Sequence, residues 1–414
     1  MLLRPTARIL VALAGLLALG LAAACAAGAG PAPPSQTVVL VSIDGWRWDY
    51  LDALDAPNLE RLAARGVRSE GLIPAFPSKT FPNHYTVVTG LYPGHHGIVS
   101  NVMDDAAIGE RFTMSAETSR DPRWWGGEPL WVTARRHGLR SASMFWPGSE
   151  VPLEGGRPDE WQPYDGRVPN EERVARVLAW LDGPAATRPA FVTLYFSDVD
   201  SAGHEAGPLS AEVIEAAARI DAVVGQLVDG VDALGLRDEV TLVLVSDHGM
   251  SQLSHERQIV LDDYLDIATL DIVDLGPYLA ASPRTGHDAG AIVAALAGRH
   301  PAMHAYLSRE SPEHLHYRDH PRIPAILALA DDGWTITTRA RLRPASRPAG
   351  GAHGYDPAMR SMHGLLIAAG APLKSGVVVE RVEAVHLYEL MCRLLGIPAA
   401  PNDGDPDATA GFWR

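Results

Sequence analysis

Three continuously apolar runs, widely separated along the chain, constrain the fold more than any other feature: TVVLVSI from residue 37, FVTLYF from residue 191 and VTLVLV from residue 240. A strand with one wet face alternates apolar and polar side chains, whereas runs of this kind suit parallel strands covered on both faces. Helical patterns stand between them, in APNLERLAARG, where Leu59 and Leu62 share a face, and in the long stretch from Ser210 to Gly235. Ser210 is placed to cap that long helix, with Ile214, Ala217, Ala218, Val224 and Leu227 expected along its buried stripe. The expected fold is α/β, a mostly parallel sheet sandwiched by helices. In such sheets ligands bind beyond the carboxyl ends of the strands, where loops from several strands converge.

Each run ends in residues that bind cations. Asp44 follows the first, Asp200 and His204 follow the second in SDVDSAGH, and Asp247 with His248 follow the third. Asp200 and His204 are expected to share a loop whose small residues Ser201, Ala202 and Gly203 let it wrap closely around an ion. GGAHGYD adds His353. Three carboxylates and three imidazoles suit two zinc-like ions, each keeping an open position for chemistry. Thr80, in PSKTFPNHYTVVTG, falls at the expected start of a helix and is a candidate nucleophile. A threonine hydroxyl is weak at neutral pH, but cation coordination lowers its pKa, and a helix N-terminus favours a phosphate. Asn101, in HGIVSNVM, is a candidate donor to a phosphoryl oxygen.

The 414 residues, 47% of them hydrophobic, suffice for one large domain, expected over 37–414 with a smaller α+β insertion at about 258–343. A formal net charge of -15 argues against a nucleic acid polymer as a stable partner, because an acidic surface repels phosphate at long range. Arg4 and Arg8 precede an apolar stretch that ends in small residues, which predicts an export signal over 1–25 and a Gly/Ala/Pro-rich linker over 26–36. Cys25 follows Leu21-Ala22-Ala23-Ala24, a loose lipoprotein cleavage pattern, so a lipid tether is an open alternative to plain cleavage. Cys392 is then the single remaining thiol, expected to be buried and inert in a helix.

The segments FPSKTFPNHYTVVTGLYPGHHGIVSN, DSAGH, VSDHGM and GAHGYD, in that order from Val38 to about residue 370, closely resemble the nucleotide pyrophosphatase/phosphodiesterase family of the alkaline phosphatase superfamily. The resemblance, to a bacterial member, implies an alkaline-phosphatase-like fold and two Zn2+ per subunit. One zinc would be held by Asp200, His204 and His353, the other by Asp44, Asp247, His248 and the Thr80 hydroxyl. It implies that Asn101, with the backbone amide after the nucleophile, binds a phosphoryl oxygen, and that Phe81, Tyr164 and Tyr195 wall a nucleobase. The implied reaction is hydrolysis of nucleotide phosphodiester and pyrophosphate bonds to nucleoside 5′-monophosphates through a nucleotidyl-threonine. The implied setting is the periplasm or an outer-membrane tether. The rivals are hydrolysis of lipid head groups, of choline or lysophospholipid type, and a non-catalytic binding protein of the same fold. His84, His95, His96, His314, His316, His320 and His363 are expected to pack or to lie on the surface without ligating.

Overall fold

The computed structural model describes residues 36–346 and 348–414. The leader with Cys25, and the linker apart from Gln36, lie outside the described residues. No helix among the described residues is long and apolar enough to cross a membrane.

An eight-stranded sheet forms the centre. Its strands in chain order are β1 (Thr37–Ile43), β2 (Val67–Ser69), β3 (Ser141–Met144), β4 (Glu160–Trp161), β5 (Phe191–Phe196), β6 (Val240–Val245), β7 (Leu366–Ala369) and β8 (Val377–Val379). They lie side by side as β8-β2-β7-β6-β1-β5-β3-β4. β1 runs parallel to both β5 and β6, with Ser42 level with Tyr195 on one side and Val245 on the other. Only β7 runs against its neighbours, pairing antiparallel with β6 and β2.

The apolar runs are buried on both faces because their alternate residues enter different cores. Val38 and Leu40 join one core, together with helices α1 (Thr80–Thr89), α2 (Leu130–Arg136) and α3 (Leu387–Leu395). Val39, Val41 and Ile43 join the other, which the helices Pro57–Ala64, Asn170–Leu181 and Ala211–Ala233 cover. Cys392 is buried within α3, and burial pushes its thiol up to about 12, which keeps it inert.

The helix Ala211–Ala233 is capped as expected, the Ser210 side chain accepting from the Val213 amide. Its buried stripe is rotated from the expected one. Val213, Ala217, Ile220, Val224, Leu227 and Val231 face the sheet, while Ile214 is 47% exposed and Ala218 is exposed. The run starting at Val213 keeps the i, i+3, i+4 rhythm over the full helix, and the run starting at Ile214 breaks it at charged Asp221 and Asp232.

Residues 258–343 carry a second small sheet. Leu270–Asp274, Tyr278–Pro283, Ile326–Ala330 and Met303–Leu307 pair antiparallel in that spatial order. Tyr278, Ala280, Leu327 and Leu329 turn into the first core of the main sheet, while Leu279, Ala281, Ile326 and Ala328 meet the helix Ala289–Leu296.

Candidate active site and metal-ligand cluster

Because β1 lies between β5 and β6 and runs with them, the three chain segments leaving those strands emerge together. Gly45 permits the close approach: it adopts φ +69°, and a side chain there would place a Cβ 2.8 Å from Asp200 Cα. Asp200 and His204 do not share a loop. They sit one turn apart on the helix Asp198–Ala206, which puts His204 Nε2 3.4 Å from Asp200 Oδ1. The small residues that suggested a wrapping loop instead let this helix pack closely, Gly203 against Met250.

Seven ligand candidates from five chain segments converge. His248 Nε2 lies 3.0 Å from Asp247 Oδ2, 3.5 Å from Asp44 Oδ1 and 3.4 Å from Thr80 Oγ1. His353 Nε2 lies 3.0 Å from His204 Nε2 and 3.7 Å from Asp200 Oδ1. His248 stands between the two groups, stacked on His353 at 3.5 Å between ring centroids, and its donor atoms cluster with either set.

The donor chemistry fits divalent cations. Each histidine donates its Nδ1–H to a backbone carbonyl: His204 to Gly351, His248 to Gly249 and His353 to Ser78, at 3.1, 2.9 and 2.7 Å. That fixes the tautomer and turns an Nε2 lone pair into the cluster. With both rings neutral, the facing Nε2 atoms of His204 and His353 would both be acceptors, and a cation between them would satisfy both. Asp44 Oδ1, Asp200 Oδ1 and Asp247 Oδ2 are buried without a hydrogen-bond partner. Burial first, and then the neighbouring carboxylates, hold the Asp44 and Asp247 carboxyls well above the usual range, the signature of crowded negative charge awaiting compensation. Burial, followed by the neighbouring imidazoles, holds His353 well below its ordinary value.

Thr80 is the first residue of α1, Lys79 taking the cap position. The loop before it is pinned by Asn83, whose Oδ1 accepts from the Ala75 amide and whose Nδ2 donates to the carbonyls of Ala75, Pro77 and Lys79. Ser78 Oγ donates to the Tyr355 carbonyl, tying the loop to the segment that carries His353. Asn101 lies beside Thr80, its Oδ1 accepting the Phe81 amide at 2.9 Å. The Phe81 N–H is thus spent on Asn101, and the bond turns the Asn101 Nδ2 donors away from that amide.

A cleft of about 380 Å3 opens beside Thr80, Asp44 and Asp200, a size suited to a small molecule. Phe81, Tyr164 and Tyr195 all line it, joined by Phe145 and Trp146. Tyr164 is 49% exposed, with its ring edge-on to Tyr195 at 6.0 Å. Tyr195 has a second contact that the sequence did not announce: its hydroxyl donates to Asp44 Oδ2 at 2.7 Å.

His84 also reaches the site. It lies one helical turn after Thr80, donates Nδ1–H to the Thr80 carbonyl at 2.8 Å, accepts from Ser42 Oγ at 2.8 Å and lies 3.4 Å from Asp247 Oδ2. Its i+4 spacing from Thr80 was the available signal. The remaining histidines stay out of the cluster: His96 bonds Thr86 inside the core, His95 and His314 pair with Asp403 and Asp356, His316 stacks on Tyr92, His320 lies half-buried and His363 bonds the Pro357 carbonyl.

A mostly parallel sheet with clustered carboxylates and histidines at the carboxyl ends of its central strands defines an alkaline-phosphatase-like α/β protein with candidate metal-binding residue groups. The profile of the type I phosphodiesterase/nucleotide pyrophosphatase family matches residues 38–356, and the chain belongs to that metal-dependent family. It is 39% identical over 381 residues to venom phosphodiesterase CdcPDE of Crotalus durissus collilineatus, covering 89% of this chain and 45% of the venom protein. It is 38% identical over 385 residues to human ectonucleotide pyrophosphatase/phosphodiesterase family member 1, covering 90% of this chain and 41% of the human protein. The chain thus spans less than half the length of these relatives. Murine ectonucleotide pyrophosphatase/phosphodiesterase 5, solved as an inactive threonine-to-alanine variant in complex with AMP, matches with a TM-score of 0.86 at 34% identity, covering 92% of this chain and 100% of that chain.

Proposed function

We propose that this protein is a two-zinc hydrolase that cleaves nucleotide phosphodiester and pyrophosphate bonds and releases nucleoside 5′-monophosphates. The observation that carries the reading is the convergence of Thr80 Oγ1 with the buried carboxylates of Asp44 and Asp247, the partly buried Asp200 and three Nδ1-tethered imidazoles at the mouth of an aromatic cleft. Asp200, His204 and His353 would hold one ion, and Asp44, Asp247 and His248 the other, with the Thr80 hydroxyl joining the second set. Bound zinc would lower the pKa of that hydroxyl and offset charge on the phosphoryl oxygens.

Thr80 attacks phosphorus in line with the leaving group, forming an Oγ–P bond as the bond to the leaving oxygen breaks. Water then cleaves the Oγ–P bond from the same side on which the leaving group departed, restoring the hydroxyl with net retention at phosphorus. Asn101 Nδ2 donates to a non-bridging oxygen, and the amide ends of α1 add a favourable dipole. Phe81, Tyr164 and Tyr195 hold the base. The complex of the murine neighbour with AMP, and that variant's threonine-to-alanine inactivity, support the product class and the nucleophile. Export to the periplasm or an outer-membrane tether through Cys25 belongs to the same proposal.

Thr80→Ala is expected to bind zinc as the native protein does while losing turnover of a nucleoside 5′-monophosphate p-nitrophenyl ester by at least about 10³-fold. Chelation should abolish the native activity and added zinc restore it. Full activity in Thr80→Ala would remove Thr80 from the mechanism.

A further inference from the structure

The acidic side chains lining the cleft are Asp44 and Asp200 of the cation cluster and Glu150. Both oxygens of Glu150 are committed. Oε2 accepts from Arg120 Nε at 2.5 Å, and Oε1 accepts the Tyr164 backbone N–H at 2.7 Å. Its side chain is only 17% exposed, and Arg120 itself lines the cleft. Glu150 therefore ties together two walls from distant parts of the chain, the segment around Arg120 and the one carrying Tyr164, and its charge is cancelled where it meets the ligand space.

That cancellation bears on which phosphodiester fits. A quaternary ammonium group donates no hydrogen bond and is held by aromatic faces together with uncompensated negative charge. The faces are present here, in Phe81, Trp146, Tyr164 and Tyr195; Asp44 and Asp200 belong to the cation cluster, and the remaining carboxylate of the lining, Glu150, is neutralised by Arg120. A nucleobase is planar and uncharged at neutral pH, so it gains the aromatic contact without needing that charge. Resting on the phosphodiesterase reading above, we infer that the Arg120–Glu150 pair is a specificity determinant that selects an uncharged planar base over a quaternary ammonium head group.

The test compares thymidine 5′-monophosphate p-nitrophenyl ester with p-nitrophenyl phosphorylcholine, which share a leaving group, so the ratio of their kcat/KM values isolates the pocket. The native protein is expected to favour the nucleotide ester. Arg120→Gln releases the Glu150 charge into the cleft and should shift the ratio toward the choline ester by about tenfold, mainly through KM. Adding Glu150→Gln, which keeps an oxygen for the Tyr164 amide, should return the ratio close to the native one, and Arg120→Lys should preserve it. Thermal melting checks that each variant is folded. Native turnover of the nucleotide ester with an unchanged ratio in folded Arg120→Gln sinks this assignment alone. A native protein that prefers the choline ester sinks it as well, and one that cleaves neither ester sinks the proposed function together with it.

Discussion

Asp247→Asn should stabilise the protein when it is free of metal and destabilise it relative to the native chain when zinc is present. The donor atoms of Asp44, Asp247 and His248 lie within 4.8 Å of one another, and the two aspartates are almost completely buried. Two like charges about 5 Å apart at an effective dielectric near 20 repel by roughly 3 kcal/mol. Asparagine removes that repulsion while keeping a carbonyl oxygen for the Gly45 amide, which reaches Asp247 Oδ1 at 3.3 Å. At roughly 2 °C per kcal/mol for a large domain, the metal-free variant should melt about 5 °C above the metal-free native protein. The gain should grow with pH. A carboxyl whose folded pKa is raised stabilises the fold while it holds its proton, and that stability is lost as pH rises through the folded value. Calorimetry on chelated and zinc-loaded samples measures both halves of the prediction. A metal-free Asp247→Asn that melts below the native protein would show that these carboxylates stabilise the fold in their own right, and the argument for a cation site would fail.

Tyr195→Phe keeps the aromatic wall but removes the hydroxyl on Asp44, so zinc affinity should fall about 10- to 100-fold in a competition titration while KM for the nucleotide ester changes little. His96 is fully buried, and burial lowers its pKa to about 3. Its stabilising effect is complete above the ordinary value near 6.5 and is lost as pH falls toward 3, by an amount on the order of 4 kcal/mol, so His96→Gln should flatten that part of the acid-unfolding curve. Leu227→Ala, in the buried stripe, should cost about 2–5 kcal/mol in denaturant unfolding, whereas Ile214→Ala should stay within about 0.5 kcal/mol.

The sheet was legible because burial on both faces writes itself into sequence as uninterrupted apolar runs, and β1, β5 and β6 are those runs. Helix stripes are read less securely, since apolar residues on adjacent positions such as Val213 and Ile214 leave the rotation to whichever series keeps its rhythm longest. The clustering of the candidate ligand residues was legible for a related reason: Asp44, Asp247 and His248 stand where a parallel sheet delivers its loops. The helical setting of Asp200 and His204 was not legible, because Ser, Ala and Gly serve a tight helix contact as readily as a loop.

Residue type and order along the chain thus determined the layered α/β architecture and the kinds of candidate ligand residue gathered at the carboxyl ends of its central strands, because both follow from local periodicity and strand polarity. Only the tertiary structure decided that the His204 and His353 Nδ1–H groups meet the Gly351 and Ser78 carbonyls, that Tyr195 holds Asp44, that His84 comes beside Asp247 and that Arg120 neutralises Glu150. Those are contacts between segments up to 275 residues apart, as for His353 and Ser78. No spacing rule reaches across such a separation; the packing of the sheet brings the partners together.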